Sequence, residues 1–130
     1  MMRVRESNTM NRQPLAQSMA VSSLHRHPNE IDKKRIERAL VDRKRYRYVT
    51  PQVGLIDSGY VITSPCCSRN IEPNGGVIDI AMLEFLETDQ FWRLFYKDHS
   101  AVAWVAYADY PALPPILALL REDPERRFWQ

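Results

Sequence analysis

Between Arg45 and Tyr107 the apolar residues recur with period two, and turn residues cut each recurrence. A strand sends successive side chains to opposite faces, so this pattern predicts a sheet and excludes a helical bundle. Its clearest member, Val77–Phe85 (VIDIAMLEF), is almost wholly apolar and reads as a central strand. Upstream, Asp57-Ser58-Gly59 separates Val53–Ile56 from Tyr60–Thr63 as a hairpin signal. Glu72-Pro73-Asn74-Gly75-Gly76 is the strongest turn, because Asn-Gly and Gly-Gly supply the positive φ angles of a tight hairpin. It predicts that Cys66–Ile71 pairs with the central strand, with Ile71 opposite Val77 and Arg69 opposite Asp79. Arg45–Val49 alternates up to Pro51 and reads as a first strand. Phe91–Lys97 puts Trp92, Leu94 and Tyr96 on one face, and Ala101–Tyr107 follows with Trp104.

Helical periodicity brackets these strands. Asn29 is an N-cap candidate, with Glu30 and Asp32 in the first turn, where acids suit the helix dipole. Ile31, Ile36, Ala39 and Leu40 form a narrow apolar stripe, predicting a helix over about Glu30–Arg45 with a broad cationic face. At the other end Leu113, Ile116, Leu117 and Leu120 fall at i, i+3, i+4 and i+7, with Pro115 near the first turn and Asp123-Pro124 as the stop. The predicted fold is α+β: an antiparallel β-meander of five or six strands, with an N-terminal basic helix and a C-terminal amphipathic helix packed on one face. Trp92, Leu94, Tyr96 and Trp104 are expected beneath the C-terminal helix. Residues 29–130 read as a single domain and residues 1–28 as a flexible polar tail. The apolar run Leu15–Leu24 is broken by Gln17, Ser18 and Ser22, unlike a secretory signal.

Composition narrows the class further. No apolar run approaches the ~18–20 residues of a membrane span, so no membrane partner is expected. The 2 cysteines of the chain, Cys66 and Cys67, are too few for a disulfide framework, and a cytoplasmic location follows as the expectation. The net charge of +2 is uneven: residues 31–47 carry eight cations against three acids, whereas residues 48–130 carry six against eleven. A basic front and an acidic body bias non-specific association. Lys33, Lys34, Arg35, Arg38 and Arg45 are therefore candidate contacts for an acidic protein or a nucleic-acid backbone. The helix lacks the Asn and Gln that read base edges, so any nucleic-acid binding would show weak sequence preference.

Candidate chemistry is sparse. Cys66 and Cys67 lack two further ligands at recognisable spacing, so no metal site and no cofactor is expected. Asp79, between Ile78 and Ile80, reads as lying on the face of Val77, Ala81, Leu83 and Phe85, where a carboxylate requires a partner. Arg69 is that partner if the hairpin register holds. A strand-borne Asp is similar to that of restriction-type nucleases, but Phe95 stands where their Glu-x-Lys pattern needs its Glu before Lys97. Asp98-His99 reads as a loop cap. Arg69, Asp79 and His99 remain the candidate catalytic set.

The pieces RNI…GGVIDIA, Trp92 to His99 (WRLFYKDH), and Asp123, Pro124, Phe128 and Trp129 at the end form a recognisable arrangement. It resembles the bacterial domain-of-unknown-function family number three thousand and twenty-four, over about residues 31–130. The resemblance implies bacterial origin and a shared fold, and carries over no catalytic residue. The sequence thus supports a non-catalytic binding or interaction module first. A small enzyme around Arg69, Asp79 and His99 is the alternative, and a nucleic-acid-binding protein using helix 31–47 a third reading.

Overall fold

A computed structural model describes residues 26–65 and 76–129. Helix α1 (Glu30–Leu40) begins where its cap predicts: Asn29 is extended, and its side-chain oxygen accepts from Asp32 N at 2.7 Å. It ends five residues before the expected Arg45. The cause is Arg43, whose buried guanidinium donates to Leu40 O at 2.8 Å and to the carbonyls of Tyr46 and Val49. One side chain thus satisfies the helix end and the loop after it.

The expected strand Arg45–Val49 does not form. Tyr46 sits at φ 57, Arg45 Nε donates to Asp123 O at 3.1 Å, and Arg47 Nη1 donates to Arg43 O at 3.1 Å. The alternation of Arg and Tyr was real, but its arginines serve carbonyls instead of flanking a ladder.

Five antiparallel strands then form one sheet in chain order: β1 (Gln52–Ile56), β2 (Gly59–Pro65), β3 (Val77–Leu86), β4 (Phe91–Asp98) and β5 (Ala103–Tyr110). Asp57-Ser58 closes the first hairpin, with Ile56 opposite Gly59. A Cβ at Gly59 would lie 1.8 Å from Leu83 O, so only glycine fits this crossing of β3. At the β4–β5 turn, Asp98 Oδ1 accepts from Ser100 N and Ala101 N, the loop cap expected of it.

The β2–β3 register corrects the expected hairpin. Pro65 lies opposite Val77 and Thr63 opposite Asp79, the positions expected for Ile71 and Arg69. Cys66, Cys67, Arg69 and the Asn74-Gly75 turn lie outside the described residues. The face of Asp79 is corrected too. Ile62 pairs with Ala81 and Thr63 with Asp79, leaving Ile80 as the extra residue of a bulge. Ile78 and Ile80 therefore face the core before the bulge, and Ala81 and Leu83 after it. Asp79 points the other way.

Helix α2 (Leu113–Glu122) buries its predicted stripe of Leu113, Ile116, Leu117 and Leu120. It joins Ile36 and Leu40 of α1 over the sheet face formed by Val53, Tyr60, Ile62, Leu83, Trp92 and Leu94. The chain end closes this core. Asp123, left-handed at φ 39, accepts from the backbone N–H groups of Arg127, Phe128 and Trp129. Trp129 Nε1 donates to Leu120 O at 2.8 Å, and Phe128 and Trp129 are buried. Trp104 is the exception to the expected core. It lies opposite Lys97, on the sheet face away from the helices, and Tyr96 is only half-buried.

Candidate ligand cavity

The first turns of α1 and α2 border one cavity, and the segment that follows α1 meets the last turn of α2, where Lys44 N donates to Arg121 O at 2.9 Å. The two helices consequently run parallel. Each contributes the positive end of its dipole, about half an elementary charge, to the same side of the sheet.

The cavity measures about 330 Å3 and is lined by His27, Asp32, Arg35, Phe85, Gln90, Trp92 and the segment Pro111–Pro114. Its polar wall is built on the cap of α1. Tyr60, fully buried on β2, accepts from Asn29 N at 3.0 Å and shares a hydrogen bond of 2.9 Å with His27 Nδ1. Asn29 Nδ2 donates to Asp32 Oδ2 at 3.2 Å, which stands 3.6 Å from His27 Nδ1. Arg35 Nη1 donates to Asp32 Oδ1 at 2.8 Å. Burial is the main reason the Tyr60 hydroxyl is pushed up to about 12, with the Asp32 carboxylate adding to it.

The apolar floor is aromatic. The His27 ring lies 4.5 Å from Phe85 and 4.7 Å from Trp92 between ring centroids, and Tyr60 stacks on Trp92 at 5.9 Å. Such offset and edge contacts hold the rings in place. A second depression, of about 560 Å3, lies beside the 41–51 loop and is lined in part by Glu37, Arg43 and Arg47. Arg43 there is already committed to three carbonyls.

The residues singled out from sequence are distributed differently. Asp79 and His99 come near each other at one end of the sheet, on the side away from the helices, and Arg69 lies outside the described residues. Asp79 accepts from Lys97 Nζ at 2.9 Å, and that ammonium also sits 4.8 Å from the Trp104 ring centroid. His99 is pulled below its ordinary value by burial first and then by Lys97, against Asp79 and Asp98. Of the basic set, Lys33 lies 4.0 Å from both Glu30 and Glu37, Arg35 is held by Asp32, and Arg45 caps Asp123. Lys34 and Arg38 are exposed and have no ion pair among the described residues. Among those residues no three His, Cys, Asp or Glu side chains gather as a metal requires, and no helix is long and apolar enough to cross a membrane.

His27, Tyr60 and the cavity were not foreseen from sequence. Residues just before an N-cap habitually pack against the helix they introduce, so the recognised cap at Asn29 was the available signal for His27. Tyr60 and Trp92 carried none beyond their places on apolar strands.

Residues 24–130 match the model of a family described as "Domain of unknown function (DUF3024)". The chain belongs to this family. The match begins ahead of His27, so the DUF3024 unit includes the whole polar wall of the cavity. It also spans the closing Asp123–Trp129 segment, whose carboxylate and indole are structural in this DUF3024 member. No curated protein and no solved structure matches the chain.

Proposed function

We propose that the protein is a non-catalytic binding module of the bacterial cytoplasm that holds a small organic molecule in the cavity between α1, α2 and the sheet. The observation that carries this reading is the convergence of the two helix N-termini and Arg35 above an aromatic floor, within a volume of about 330 Å3. Small-molecule sites combine an apolar lining with a few placed polar groups, at volumes from roughly 300 Å3 upward. The cytoplasmic assignment rests on cysteine usage. The alternative enzyme set draws less support, since Asp79 is neutralised by Lys97 in a cross-strand ion pair. Polyanion binding by the basic segment draws less as well, because Lys33 and Arg45 already have partners within the fold.

Ala112 is exposed at the cavity mouth, and a tryptophan there would occupy the space without disturbing the core. A thermal-shift screen of small metabolites against the wild type and Ala112→Trp tests the proposal. It expects at least one compound class to raise the wild-type Tm by several degrees and to leave Ala112→Trp unmoved. A screen that shifts neither protein, or both alike, contradicts it.

A further inference from the structure

We infer that the cavity takes a small organic carboxylate, its anionic group on Arg35 and its apolar body against Trp92 and Phe85; this rests on the cavity being the ligand site. The inference follows from which polar groups in the cavity are already satisfied. Both oxygens of Asp32 are engaged: Oδ1 accepts from Arg35, and Oδ2 accepts from the Asn29 amide. Its charge is further met by the α1 N-terminus, where a carboxylate in the first turn is stabilised. An ammonium ligand would meet a carboxylate whose charge is already compensated by Arg35 and the helix end.

Arg35 is the opposite case. A guanidinium carries five N–H donors in a fixed fork, and Asp32 engages Nη1 alone. Among the described residues its Nε and Nη2 have no partner. The half-exposed guanidinium is therefore oriented by Asp32 and still open to an acceptor. Paired N–H groups in one plane match a carboxylate better than any neutral acceptor.

The opening of α2 adds at most one donor to Arg35. Ala112 supplies no side-chain cap, and Pro114 and Pro115 have no N–H, so of the first-turn amides only Leu113 N–H remains outside the helix ladder. Size and floor set the rest of the ligand. A cavity of ~150 Å3 holds benzene, so about 330 Å3 suits roughly a dozen non-hydrogen atoms. Rings at Phe85 and Trp92 favour a flat or aromatic body.

The test is isothermal titration calorimetry of the full chain with phenylacetate, phenylacetamide and phenethylamine, which share one body and differ in charge. Phenylacetate is expected to bind at least about tenfold tighter than the amide, the difference a charge-assisted hydrogen bond makes. Arg35→Gln should remove that preference, weakening phenylacetate far more than the amide. Arg35→Lys keeps a cation beside Asp32 should the Gln variant not fold, and loses the fork. It should weaken phenylacetate at least about threefold without changing the amide. Equal or tighter binding of the amide or the amine, or a carboxylate preference that survives both Arg35 variants, overturns the ligand class and leaves the cavity standing. Failure of all three probes to bind at millimolar concentration overturns the class and the cavity together.

Discussion

Tyr60 ties the cavity to the stability of the fold. Its hydroxyl joins β2, the α1 cap and His27 through two hydrogen bonds, and the residue is fully buried. Burial raises its titration to about 12 from 10.0, so the folded protein holds the phenolic proton more tightly than the unfolded chain does. The stabilisation is complete below pH 10 and is lost as pH rises from 10 through 12. A shift of that size corresponds to about 3 kcal/mol. Tyr60→Phe should lose about 1–2 kcal/mol at neutral pH, because Asn29 N–H and His27 Nδ1 each lose a partner. It should also lack this part of the alkaline decline. Urea titrations of both proteins between pH 8 and pH 12 compare the two, and parallel curves would show that Tyr60 is not a buried proton holder.

At the scale of elements, period and turn residues sufficed for most boundaries. Val53–Ile56, Val77–Phe85, Phe91–Lys97 and the α2 stripe all lie in the elements predicted for them. What failed was information that periodicity does not contain. A nearly continuous apolar strand has no visible alternation, so the bulge at Ile80 and the face of Asp79 were unreadable. The Glu72–Gly76 turn led to a hairpin pairing Ile71 with Val77, whereas β2 already ends at Pro65, which takes the place opposite Val77. Arg43 looked like one more cation of a solvated helix, and only the fold brings the Tyr46 and Val49 carbonyls within its reach. The α2 stripe allows a graded prediction. Leu120 is 0% exposed and lies beside the closing Trp129, whereas Leu117 is 7% exposed. Leu120→Ala should cost about 3–5 kcal/mol and Leu117→Ala about 2–3 kcal/mol. Chemical denaturation reads both, and a loss below about 1 kcal/mol at Leu120 would mean that α2 does not cap the core.

Across the whole molecule, the parallel helices place two positive dipole ends, Arg35 and His27 on one side, and the chain closes the other end with Phe128 and Trp129. The uneven charge seen in the sequence is largely consumed by this arrangement: Lys44 reaches Glu122 at 3.0 Å, and Arg45 reaches Asp123 across the same junction. The basic segment thus holds α1 to the acidic end of α2, and Lys34 and Arg38 are its exposed cations with no ion pair among the described residues. The central claim is where the ligand sits. Two-dimensional 15N–1H spectra of the labelled protein during a phenylacetate titration test it most directly. The account predicts saturable shifts at the Leu113 amide, Arg35 Nε–H and Trp92 Nε1–H, all abolished by Ala112→Trp. Shifts concentrated instead at Lys34 and Arg38, or around Asp79, Lys97 and Trp104 on the sheet face away from the helices, would contradict it.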